Sequence, residues 1–175
     1  MGSAVPSNAS PDKLTVAVLG TGRMGQIHLA ALAKLRDEGL VAGGRRVAVE
    51  PVLYGRDPTK VAELAAAYRV GQTSTDLDGI VDAPDVNVVD NCLVNSLHFA
   101  PLMRAIKNGK HVFTEKPLTP ELPEAEELLA AARAAARSSS ASGSSGVSGF
   151  SVKTCLPFLM ARIKGAKWRE CTRQL

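Results

Sequence analysis

The sequence predicts an α/β protein, a doubly wound parallel sheet in a single domain followed by a low-complexity basic tail. Three observations predict it. Short apolar, β-branched runs alternate with amphipathic helical stretches from Leu14 to about Ala136, the pattern of a parallel sheet wrapped by right-handed crossovers. A glycine cluster closes the first apolar run. Beyond Ala136 the composition turns to Ser and Gly. These divide the chain into a flexible N-terminus (1–12), a folded body (13–136) and a Ser/Gly-rich linker with a basic tail (137–175).

Leu14 to Leu19 (LTVAVL) is short, apolar and β-branched, which reads as a buried parallel strand. The helix predicted from Met24 to Arg36 carries Ile27, Ala31, Leu32 and Leu35 on one face. Gly39 to Arg46 reads as a loop, and Val47 to Tyr54 as the second strand. Pro58 suits the first turn of the next helix, which runs to about Tyr68 with Val61, Leu64 and Ala65 inward. Thr75 to Asp82 reads as a short helix capped by Ser74 or Thr75. A strand over Val86–Leu93, a helix over Phe99–Lys107 stopped by Gly109, a strand over His111–Thr114 and a helix over Pro120–Ala136 complete the body. Ser138 to Ser151 has the composition of a flexible linker.

A length of 175 residues with 45% hydrophobic content suffices for one packed domain and little more. Charge is unevenly placed. Met1–Ala136 holds 14 basic against 16 acidic residues, whereas Arg137–Leu175 holds 7 against Glu170 alone. The formal +4 therefore belongs to the tail, and the tail has one Trp and no basic repeat. That leaves no specific nucleic-acid module. No run approaches the roughly 18 apolar residues of a membrane span, and MGSAVPSNASPDK lacks the apolar core of a secretory signal. Cys92, Cys155 and Cys171 show neither metal-ligand spacing nor a disulfide framework. No metal and a reducing cytoplasm are the plain expectations, and a homo-oligomer stays open.

Gly20-Thr21-Gly22-Arg23-Met24-Gly25 fits G-x-G-x-x-G in the context that gives this motif meaning, after a strand and at a helix start. Gly20 permits the turn and Gly22 admits a pyrophosphate to the backbone. Gly25 lets helix and strand approach, and the helix N-terminus offers free N–H groups to an anion. This is the dinucleotide-binding signature of a Rossmann fold. After the second strand an NAD-preferring domain usually places a carboxylate for the ribose hydroxyls. Here Gly55 and Arg56 stand there. Glycine leaves room for a 2′-phosphate and a guanidinium grips one, so NADP is expected over NAD, with Asp57 as the alternative ribose partner.

From Leu14 to about Ala136 the chain resembles the N-terminal domain of the Gfo/Idh/MocA oxidoreductases. The matching pieces are VAVLGTGRMGQIHLAAL, GRDPTKVAELAAAY and DVNVVDNCLVNSLHFAPLMRAIKNGKHVFTEKPL. The resemblance implies that the Gly20–Gly25 loop holds the pyrophosphate. Leu93, Val94 and Asn95 would lie along the cofactor, with His98 at the next helix start. Glu115 would reach the nicotinamide ribose, and Lys116 would sit at the hydroxyl or carbonyl of a sugar or polyol as the catalytic residue. Val94-Asn95 replaces a common Thr-Pro. His28 reads as a packing or surface histidine and Cys92 as a small core residue.

Relatives carry a second α/β domain that covers the nicotinamide and supplies acid–base groups. The 39 residues after Ala136 are too few and of the wrong composition for it, so a truncated or frame-shifted product with little turnover is expected. Two alternatives stand beside that reading: an enzyme completed by a partner chain, and a non-catalytic dinucleotide-binding sensor.

Overall fold

A computed structural model describes residues 13–42, 44–141 and 152–154. The strands are β1 (Lys13–Leu19), β2 (Leu40–Ala42), β3 (Arg45–Tyr54), β4 (Gln72–Ser74), β5 (Val88–Asn91), β6 (His111–Thr114) and β7 (Val152–Thr154). The helices are α1 (Arg23–Glu38), α2 (Pro58–Tyr68), α3 (Leu77–Asp82), α4 (Phe99–Lys107) and α5 (Leu122–Ala141). The sheet order is β2-β3-β1-β5-β6-β7, with β4 also paired to β3. Every pairing is parallel except β2 with β3. From β1 the chain first steps to β3 on one side and later returns to β5 on the other, so the order reverses at β1.

Strand alternation sorts the core into two layers. Ala17, Leu19 and Val89 face one side and pack with Leu102 and Ile106 of α4 and Leu128 of α5. Val18 and Leu53 face the other and meet Leu29 of α1 and Val61 of α2. Helices thus cover both faces, as expected of a doubly wound sheet.

Several expectations need correction. The predicted loop at Gly39–Arg46 contains β2, because Leu40 and Val41 pair antiparallel with Val47 and Arg46. Gly39, at φ 86°, ends α1 by donating its N–H to the Leu35 carbonyl. On the expected inward face of α1, Leu32 packs against the core, but Ile27, Ala31 and Leu35 are exposed, and the buried positions are Gly25 and Leu29. A helix lying along a sheet turns only a narrow stripe inward, and the close Gly25 contact fixes which one. The cap of α3 is Asp76, whose carboxylate accepts from Gly79 N at 3.1 Å, not Ser74 or Thr75. The three-residue β4 was missed, and β5 is shorter than Val86–Leu93. In the region read as linker and tail, α5 continues to Ala141 and Val152–Thr154 pairs with β6. The helices α4 and strand β6 have the expected limits. Among the described residues no helix is long and apolar enough to cross a membrane.

Candidate functional site

The carboxyl ends of the four central strands fall on one row. Leu19 pairs with Tyr54 on one side and with Asn91 on the other, and Asn91 pairs with Thr114. The next residue of each strand is tied to that row. Gly20 N donates to Tyr54 O, Cys92 N to Leu19 O, and Glu115 N to Asn91 O. Gly20, Gly55, Cys92 and Glu115 are therefore delivered to one edge, where open α/β sheets bind ligands at the reversal of strand order.

The glycine loop is built as an anion cradle. Gly20 takes φ 116°, and a Cβ there would meet the Cys92 carbonyl oxygen at 2.9 Å. Gly22 is the N-cap of α1 and gives no side-chain cap, and a Cβ on it would meet nothing within 4 Å. The first turn of α1 holds no acidic residue. Its N–H groups, with the positive end of the helix dipole, thus face open space, which suits a bound pyrophosphate. Thr21 is half-buried and its carbonyl accepts from Gln26 Nε2, while Arg23 and Met24 are exposed beside it.

At the end of β3 the structure revises one argument. Gly55 is buried, and a Cβ there would stand 2.5 Å from Thr21 Cγ2 and 2.6 Å from Val61 Cγ2. Packing alone demands glycine, so its presence says nothing about room for a phosphate. Arg56 is exposed at the same edge. Asp57 caps α2, its Oδ1 accepting from Thr59 N and Lys60 N.

The loop after β5 is held from below. Asn91, fully buried, accepts from Leu93 N through Oδ1 and donates Nδ2 to His98 O. His98 is also fully buried, with Nδ1 2.8 Å from Pro117 O and Nε2 3.0 Å from Leu93 O. His98 stands at the start of the next helix, as the resemblance implies, and both its ring nitrogens face backbone carbonyls, so the ring bridges the Leu93 loop and the turn after Lys116. Leu93 is half-buried, whereas Val94 and Asn95 lead an exposed 3-10 turn, Asn95–Leu97. Lys116 is exposed, next to half-buried Glu115.

Sequence reasoning missed a polar cluster beneath this loop. His28 Nδ1 lies 2.9 Å from Asp90 Oδ2 and 3.1 Å from Cys92 Sγ. His28 Nε2 lies 3.4 Å from Glu115 Oε1. The Asp90 contact raises the His28 pKa above its ordinary value; burial opposes this, and the charges of Asp90 and Glu115 add to the rise. The signal was present at the end of β5, where Asp90 and Cys92 stand two apart and so share one face of the extended chain.

Comparison with known proteins agrees with this geometry. The profile of an oxidoreductase family with an NAD-binding Rossmann fold, GFO_IDH_MocA, matches residues 14–141. D-xylose dehydrogenase of Paenarthrobacter nicotinovorans is 43% identical over 112 residues, covering 62% of this chain and 29% of that protein. The NAD(+)-dependent scyllo-inositol 2-dehydrogenase of Bacillus subtilis (strain 168) is 33% identical over 63% of this chain and 30% of its own length. Levoglucosan dehydrogenase in complex with NADH and levoglucosan superposes with a TM-score of 0.63 at 27% identity, over 71% of this chain and 33% of that one. Each matched stretch thus spans about a third or less of the relative's length.

Proposed function

This chain belongs to the Gfo/Idh/MocA oxidoreductase family, as its NAD-binding Rossmann domain, and we propose that it takes NADP(H) in preference to NAD(H) for oxidoreduction at the CH–OH group of a sugar or polyol. The observation that carries the reading is the aligned row of strand ends, which gathers the Gly20–Gly25 cradle, Arg56, Leu93–Asn95, Glu115 and Lys116 along one edge. The cofactor supplies the hydride chemistry. Gly22 and the first N–H groups of α1 hold the pyrophosphate, and Leu93 and Asn95 flank the dinucleotide. Glu115 accepts from the nicotinamide ribose, while Lys116 holds the substrate oxygen and stabilises charge that develops on it.

The preference for the 2′-phosphate rests on Arg56, exposed directly after β3. The carboxylate that would select against a phosphate is replaced there by Gly55, whose identity packing already dictates. The substrate class is supported by relatives that act on xylose, inositol and levoglucosan. A reducing cytoplasm suits the cofactor and the cysteine usage. Titration calorimetry of the purified chain with NADPH and with NADH tests the reading. Tighter binding of NADPH supports it, and equal or inverted affinities defeat the NADP assignment while leaving the dinucleotide site intact.

A further inference from the structure

We propose that His28, Asp90 and Cys92 form a binding site for a zinc-class divalent cation, wedged between α1 and the end of β5 behind the glycine loop. The proposal needs neither nucleotide nor substrate, and it shares only Glu115 with the cofactor reading.

Local structure assembles the three ligands. Asp90 and Cys92, two residues apart in extended chain, project from the same face of the sheet. α1 lies on that face, and His28 stands three residues beyond Gly25, where the helix packs tightly against the Gly20 carbonyl at the end of β1. The imidazole is oriented by Phe113, its ring centroid 5.6 Å away. The three ligand atoms all lie within 4.8 Å of one another.

The edges of this triangle come near those of a metal site. Nδ1 to Asp90 Oδ1 is 3.1 Å, Nδ1 to Cys92 Sγ is 3.1 Å, and Sγ to Asp90 Oδ1 is 3.6 Å. A tetrahedral zinc with ordinary bond lengths needs edges of roughly 3.4–3.6 Å. An opening of roughly 0.3–0.5 Å on the two shorter edges therefore admits the ion. Both acidic residues around His28 are nearly buried, with Asp90 and Glu115 side chains 6% and 13% exposed. A dication offsets those charges.

Glu115 supplies an independent observation. Its Oε1 is buried without a hydrogen-bond donor, although it stands 3.4 Å from His28 Nε2. Metal at Nδ1 leaves the imidazole proton on Nε2, directed at that oxygen. Metal-bound histidines almost always donate their distal N–H to a carboxylate, carbonyl or water. The orphaned acceptor is thus the partner the ligand requires. Cys92 binds as thiolate, its proton passing to solvent, and water completes the fourth position.

The test uses the full chain with Cys155→Ser and Cys171→Ser, so that Cys92 is its one thiol, titrated with cobalt(II) and zinc. One equivalent of cobalt with a thiolate-to-metal charge-transfer band, displaced by zinc, is expected. Cys92→Ser abolishes the band, and His28→Ala weakens binding more than Glu115→Ala, which costs roughly 10- to 100-fold and keeps the band. No thiolate band in the parent, or undiminished binding in His28→Ala, overturns the site. X-ray absorption of the zinc-loaded parent decides the matter without variants: one sulfur scatterer supports it, and none refutes it.

Discussion

A side-chain carbon on Gly25 would stand 2.1 Å from the carbonyl oxygen of Gly20. Gly22, midway between them, has open space where its side chain would be. One motif therefore contains two kinds of glycine, and they separate folding from binding. Gly25→Ala forces α1 away from β1 and should cost about 1–3 kcal/mol, as overpacking does, with cofactor affinity falling alongside. Gly22→Val should leave the melting temperature nearly unchanged and still abolish dinucleotide binding, because only the ligand competes for that space. Thermal melts with calorimetric titration of both variants check this, and equal loss of stability in the two would contradict it.

Arg56→Ala addresses cofactor choice. A charge-assisted contact contributes about 1.5–3 kcal/mol, or roughly 10- to 150-fold in affinity. The variant should lose that factor for NADPH and little for NADH. Gly55 offers no parallel test, since any side chain there strikes Thr21 and Val61. A ratio of the two dissociation constants unchanged by Arg56→Ala would assign the preference elsewhere.

The legible part of this fold was the part fixed by local chemistry. LTVAVL followed by glycines, Pro58 at a helix start and the apolar face of Phe99–Lys107 each specify their element without help from elsewhere. What stayed hidden depends on partners distant in sequence. β4 exists because Gln72–Ser74 meets the end of β3, and three residues carry no period of their own. The inward stripe of α1 follows from the Gly20–Gly25 contact rather than from its apolar residues, since Ile27 and Leu35 were as plausible as Leu29. The site divides the same way. The glycine spacing and Glu115-Lys116 were visible as motifs, but His28 and Cys92 looked like packing residues until α1 was laid across β5.

The junction of α3 and α4 should contribute to acid sensitivity. Hydrogen bonds from Arg104, then Asn108, hold the Asp82 pKa down at about 2 against an ordinary 3.8. Arg104 Nε and Asn108 Nδ2 donate to Asp82 Oδ1 at 2.7 and 2.8 Å. A carboxyl depressed in the folded state binds fewer protons than in the unfolded chain. Its contribution is complete above pH 3.8 and disappears as pH falls toward 2. Melting temperatures measured from pH 5 to 2 should drop less steeply in Asp82→Asn than in the parent. Added salt should shrink the difference, because the pair is exposed. Parallel curves would remove Asp82 as the titrating group.

His98 offers the last prediction, because it bridges the two loops, at Leu93 and after Lys116, that the proposed function places at the nicotinamide end. Its ring is fully buried between Leu93 O and Pro117 O, and Asn91 holds its own carbonyl. His98→Ala removes the ring that bridges the two carbonyls and leaves a cavity beside buried acceptors, which should cost on the order of 2–4 kcal/mol. In a chain of this size that lowers the melting temperature by roughly 5–15 °C. The pyrophosphate cradle touches the start of that loop at Cys92 and Leu93, but it is held by the Gly20 N–H to Tyr54 O bond and by α1, neither of which His98 supports. Affinity for the adenosine diphosphate half of the cofactor should therefore persist while affinity for the whole dinucleotide falls. Titration of the variant with NADPH and with 2′-phospho-ADP-ribose distinguishes the two halves. A variant that binds NADPH as tightly as the parent, below its melting temperature, would show that the bridge does not shape the nicotinamide end.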